Sequence, residues 1–208
     1  MEKPLRLVGD ENNASNVVIE MSGTIKWSGR AGWVEGVTFR RPKISSGEGS
    51  TDDMLRILSG GRVDMIHSVV DNTGSSGDST IAIQGPNAAG KWQNVIISGG
   101  AKQGVKLEAC ARVEMRNCIV RGNKGNGIVC SHSEIQVLNT KITENGGCGA
   151  TLTGGAAKFQ KCHFARNRGG ILKKEDSCKT NFNHNTAPPS ALTKPIAGFQ
   201  ATGVKEKR

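Results

Sequence analysis

Apolar residues recur two apart, and the pairs themselves recur about every 22 positions. Val113 and Met115 are followed by Ile135 and Val137, then by Ala157 and Phe159. Val120, Ile142 and Phe164 keep the same step, as do Cys118, Thr140 and Cys162. Alternation with period two predicts short strands with one buried side and one wet side. Each unit of 113–130 and 135–152 carries three such runs, the third exemplified by Ile128 and Cys130. Glycines hold the step between the runs, at Gly125, Gly147 and Gly169. So do the asparagines Asn123, Asn145 and Asn167. A fixed period filled with β-branched runs and glycine turns predicts a stacked β-solenoid.

The pattern continues backward. Trp92, Ile97, Gly104 and Leu107 occupy the places of Met115, Val120, Gly127 and Cys130. Val63, Met65, Val70, Ile81 and Ile83 repeat it with a longer corner at 73–80. An earlier coil is expected to hold Trp33, Val37, Phe39, Leu55 and Ile57, with a polar Gly/Ser-rich insert at 40–53 protruding from it. The first turn is expected from the runs at 5–8, 17–21 and 24–27. The total is about six or seven coils of roughly 22–27 residues. Coil-to-coil pairing in such a path is parallel, and right-handed by the usual chirality of these connections. The fold expected is all-β, a single right-handed parallel β-helix over residues 1–186, followed by a basic extended or disordered tail over 187–208. A solenoid end must be covered, so further sequence or another subunit is expected over the N-terminal coil.

Composition supports a thin core. Hydrophobic residues are 36% and aromatics 4%, with no Tyr and 28 Gly among 208 residues. The net charge is +10, which favours acidic partners without choosing among them. No apolar run suits a membrane span or a secretion signal, so an intracellular, cytoplasmic protein is expected. The six cysteines form no CxxC pair, and reduced, partly buried thiols fit that compartment.

The asparagine column Asn123, Asn145, Asn167 is expected to be a structural ladder at a corner. The outward columns expected on the three strands are Glu114, Gln136 and Lys158, then Ile119, Lys141 and His163, then Val129, Thr151 and Lys173. None of these columns stacks two carboxylates, and no nucleophile constellation accompanies them. No catalytic residue, metal site or cofactor is therefore expected. The run at 85–92 mimics a phosphate-binding loop, but Trp92 follows Lys91 where Ser or Thr is needed, so a turn is expected. His67, His132, His163 and His184 form no metal-ligand spacing, and no two are expected in one column. Basic residues gather on the later coils, and Lys141, Lys161, Arg166 and Lys173 are the candidates for contact with an acidic partner. Their strip would run about 15 Å over three coil spacings. It lacks aromatics for base stacking, which argues against nucleic acid.

The three-strand coil, the corner asparagine and the phrase Asn-x-Gly-x-Gly-Ile at 123–128 resemble the pectin-lyase-like right-handed β-helix. More narrowly they resemble the CASH repeats found in the copper-site maturation protein NosD and in the β-helix region of certain F-box proteins. The resemblance spans about residues 5–185, and no F-box accompanies it. It implies the fold and a link to carbohydrates by analogy. The function expected from the residues is a non-catalytic protein-recognition or scaffold module, part of a larger protein or assembly. The alternatives are a carbohydrate-binding or carbohydrate-cleaving protein, and a structural subunit of a large intracellular complex.

Overall fold

The computed structural model describes residues 5–10, 13, 16–21, 24–29, 31–41, 53–73, 77–188, 190 and 196–201. The chain winds as a parallel solenoid with three faces. The first face begins with Leu5–Val8, Ala31–Glu35, Arg62–Ile66, Ala89–Gln93 and Arg112–Arg116. It continues through the later halves of Ile128–Leu138 and Ala150–Gln160 to Lys179–Asn183. The second face is a nine-stranded sheet running from Val18–Glu20 to Phe199–Ala201. The third face begins at Ile25–Trp27 and ends at Leu172–Lys174. Every pairing recorded between neighbouring turns is parallel, for example Val120 opposite Ile97 and Ile142.

The core is one continuous column of buried side chains, one layer per turn. Its members alternate with outward residues, as in Val113, Met115, Ile135, Val137, Ala157 and Phe159. At the C-terminal end Phe159, Phe164, Phe182 and Phe199 pack ring to ring, with centroids 5.3–5.8 Å apart. The strand Phe199–Ala201, from the segment beyond 187, lies beside Asn185–Ala187 and brings Phe199 into that cluster. Residues 202–208, at the end of the expected tail, lie outside the described set, as do 42–52 of the expected insert. The flanks of that insert, Arg41 and Asp53, are buried. Among the described residues the exposed large apolar side chains are Leu5, Val8, Val17 and Val18, all in the first turn.

Two local readings change. Trp33 does not join the core: Val34 does, opposite Leu7 and Met65, while Trp33 faces outward. The corner fixes the phase. Gly36 takes the left-handed conformation at φ 62° in the place of His67 at φ 49°, and the core residue lies two positions before it. With a side-chain period of two, a slip of one residue exchanges the faces. The second change is that two corners carry no break in the strand. Ile128–Leu138 and Ala150–Gln160 run from the third face onto the first, bending at His132 in one and Gly154–Gly155 in the other, all at positive φ.

Four thiols lie in the interior. Burial pushes Cys118 and Cys162 up to about 11 and Cys130 to about 12, and it also raises Cys178. Thiolate is the reactive form. Iodoacetamide at pH 8 should therefore alkylate exposed Cys110 first, leaving Cys118, Cys130 and Cys162 intact until denaturant is added. Equal labelling of all six in the native protein, read by mass spectrometry, would contradict this packing.

Candidate functional site

Polar side chains turned into the corners bind successive turns together. The Asn123 amide nitrogen donates to Asn145 Oδ1 at 2.9 Å, and Asn145 Nδ2 donates to Asn167 Oδ1 at 2.9 Å. The same oxygens accept the backbone N–H of Asn123 and Asn145. The ladder continues backward, since Asn123 Oδ1 accepts from the Gly100 N–H at 2.9 Å. Gly104, Gly127 and Gly149 lie against it in register. These asparagines thus satisfy backbone groups inside the corner, and Asn123 and Asn145 are buried there while Asn167 is half-buried.

A second corner ladder escaped the sequence reading. Gly36, His67, Asn94, Asn117, Asn139, Lys161 and His184 all take φ between 48° and 62° where the first face turns into the second. Asn and Gly tolerate that conformation best, which is the signal the 22–23-residue spacing of Asn94, Asn117 and Asn139 carried. Here Asn139 Nδ2 donates to Asn117 Oδ1 at 2.9 Å. His67 and His184 therefore do share a column, contrary to expectation, but they sit five turns apart. Among the described residues no cluster of His, Cys, Asp or Glu can hold a metal ion.

Among the described residues the first face carries a row of concavities. Its central outward column reads Arg6, Trp33, Asp64, Lys91, Glu114, Gln136, Lys158 and Asn181. Five concavities lie along it, from Trp33 and Asp64 at one end to Lys179 and Asn181 at the other. Together they make a trough about 29 Å long, six spacings of roughly 4.8 Å. The recesses at Ala89 and Ala156 arise because methyl groups sit between long neighbours, Arg62 and Arg112 in one case, Glu134 and Lys179 in the other.

The register also places Asp64 and Glu114 in one column with Lys91 between, so two carboxylates do share a column, two turns apart. They are not free. Arg62 holds Asp64 at 2.8 Å, Arg116 holds Glu114, and Arg112 holds Glu134 at 2.8 Å. Asp64 also accepts the Lys91 backbone N–H at 2.9 Å. Trp33 donates its indole N–H to Glu35 at 3.0 Å. Lys91, Lys158 and Lys179 are exposed and, among the described residues, have no ion-pair partner. The trough is therefore electropositive after its internal pairs are counted.

A sequence family described as "Right handed beta helix region" matches residues 24–187. The chain belongs to this right-handed β-helix family. No curated protein and no solved structure matches the chain.

The β-helix separates the four basic residues expected to form one strip. Lys141 faces outward on the second face, beside His163. Lys161 and Arg166 stand at the two corners that flank that face, both at positive φ. Lys173 lies on the third face, next to Thr151. The turn at 167–171 carries the chain around a corner, so closeness in sequence does not place Lys173 with the others. Arg166 is moreover ion-paired to Glu144 of the previous turn. The phosphate-loop mimic is a turn: Gly85 and Asn87 take positive φ, and Lys91 and Trp92 lie in the strand Ala89–Gln93. His163 bonds Thr186 Oγ1 at 2.9 Å. Among the described residues no helix is long and apolar enough to cross a membrane.

Proposed function

We propose that this β-helix is a non-catalytic recognition module that receives an extended acidic segment of a protein partner along its first face. The observation that carries the reading is the trough itself. Its carboxylates are held by arginines, while Lys91, Lys158 and Lys179 project into it without ion-pair partners among the described residues. An extended chain advances about 3.3 Å per residue, so some nine residues span the trough. Carboxylates along such a chain would form charge-assisted hydrogen bonds with the lysines.

The test uses a fluorescein-labelled ten-residue peptide of alternating Glu and Ser, followed by anisotropy. Binding is expected, and it should weaken as salt rises past about 0.15 M, where the screening length is roughly 8 Å. A Lys-Ser peptide should not bind. Equal binding of both peptides, or of neither, would contradict the proposal.

Outward Trp33, with Glu35 and Asp64 beside it, favours a second reading, a glycan stacked on the indole at one end of the trough. Under the module reading no cleavage is expected from acidic or neutral polysaccharides, assayed for reducing ends and unsaturated products. Turnover that survives repurification would overturn the non-catalytic assignment. Trp33-dependent binding without turnover would favour the second reading.

A further inference from the structure

The column that borders the trough at the corner from the third face reads Arg112, Glu134, Ala156 and Lys179 on successive turns. Three of these carry long charged side chains and one carries a methyl group. The turn bearing Ala156 also bends through Gly154 and Gly155, at φ 69° and 75°. A Cβ at Gly154 would meet the His132 ring at 3.0 Å, and one at Gly155 would meet the Ser133 carbonyl oxygen at 2.2 Å. Side chains are thus excluded from the floor here, and a cavity of about 590 Å³ opens above it. It is walled by Arg112, His132, Glu134, Ser177 and Lys179. A second recess of about 260 Å³ shares Glu134, Ala156 and Lys179 and runs on past Lys158 into the trough.

We propose that this recess over Ala156 is a carboxylate pocket that anchors one acidic side chain of an extended ligand, an assignment that rests on the recognition reading above. A guest group at the level of Ala156 fills the missing place in the column, between Glu134 and Lys179. Glu134 is already held by Arg112 at 2.8 Å. Lys179 and Lys158 have no ion-pair partner among the described residues. A carboxylate there meets two ammonium groups, and beyond the acid an arginine. A cationic guest would meet the same lysines with only a neutralised carboxylate to offset them. A neutral amide fits the space, but its oxygen brings no negative charge to the two lysines and its NH2 has no acceptor in an ammonium group. Ser177 supplies a hydroxyl at the rim. The selectivity expected is carboxylate over amide of the same shape.

The probe is N-acetylglutamate N-methylamide, which offers only the side-chain carboxylate. It is titrated into the ¹⁵N-labelled full chain and followed by amide shifts. The glutamine counterpart and N-acetylglutamine, which carries only an α-carboxylate, are run in parallel. Shifts centred on Gly154, Gly155, Ala156 and Lys179 are expected with the glutamate compound. Affinity should fall about tenfold for the glutamine counterpart and in Lys179→Gln. Ala156→Leu, which fills the recess from an outward strand position, should abolish the shifts. Stronger shifts with N-acetylglutamine would overturn the side-chain assignment. No localised shift, or equal response to acid and amide, would overturn the pocket. If the shifts are absent while the Glu-Ser peptide still binds, the pocket falls and the module reading stands. If the shifts are present while the peptide does not bind, the reverse holds.

Discussion

Asn145→Asp is expected to cost about 2–4 kcal/mol of folding stability at neutral pH, as two acceptors each lose an amide donor and face a buried charge instead. Asn145 is 1% exposed. Its oxygen accepts from the Asn123 backbone and amide, and an aspartate can keep those bonds. Its Nδ2 donates to Asn167 Oδ1 at 2.9 Å and to the Val120 carbonyl at 3.3 Å, and an aspartate cannot. Ionised aspartate instead sets a charge against two oxygens. The two donors kept from Asn123 favour the ionised form, but burial and the two facing oxygens outweigh them, so its folded-state pKa is expected above the unfolded value near 3.9. A group raised in the folded state contributes stability that is present below the unfolded pKa and is lost as pH rises through the folded one. The deficit relative to wild type should therefore be smaller near pH 4 than at pH 7. Denaturant melts of both proteins at the two pH values decide the matter. A deficit that is absent, or that grows on acidification, would contradict the ladder.

Gly127→Ala should be comparably damaging, by about 3 kcal/mol, at the upper end of the usual overpacking cost. A Cβ at Gly127 would lie 2.7 Å from the Gly149 carbonyl oxygen, 2.8 Å from Asn145 Nδ2 and 2.9 Å from Ile142 Cγ2. Two of the three contacts belong to the ladder or the backbone, which cannot retreat without breaking bonds to the next turn. Gly122→Ala is the control. Gly122 sits at φ 64° with nothing within 4 Å of the added carbon, so only the left-handed conformation is penalised, by about 1 kcal/mol. Midpoints of urea unfolding should fall in that order. Equal losses would mean that the neighbours of Gly127 yield to the added carbon, and that crowding against the asparagine ladder is not what requires glycine there.

The inward half of this molecule was legible in its sequence. Core residues repeat at the coil period because each must meet its equivalents above and below. Met115, Val137 and Phe159 could therefore be aligned without coordinates. The asparagines were legible for the same reason. The outward half was harder, because no packing constraint forces it to repeat. The recess at Ala156 exists only by contrast with Glu134 and Lys179 on neighbouring turns, and that contrast needs the register of the first face. The column joining Asp64, Lys91 and Glu114 was missed for the same reason. Trp33, expected in one coil with Val37 and Phe39, faces outward instead. Its phase is set by the left-handed corner at Gly36, whose column runs on through Asn94, Asn117 and Asn139. Lys141 and Lys173 both lie on the later coils where basic residues gather, but a corner separates their faces.

The central claim is that recognition occurs on the first face, and two triple charge reversals test it most directly. Lys91, Lys158 and Lys179 are changed to Glu in one variant. Lys141, Lys161 and Arg166 are changed to Glu in the other, which alters net charge equally but modifies the second face and its corners. All six side chains are exposed, so both variants should fold. Affinity for the labelled Glu-Ser peptide should fall at least about tenfold further in the first variant than in the second. Equal losses, or a greater loss in the second variant, would show that the peptide answers to overall charge or to the second face, and that the trough is only a solvated surface.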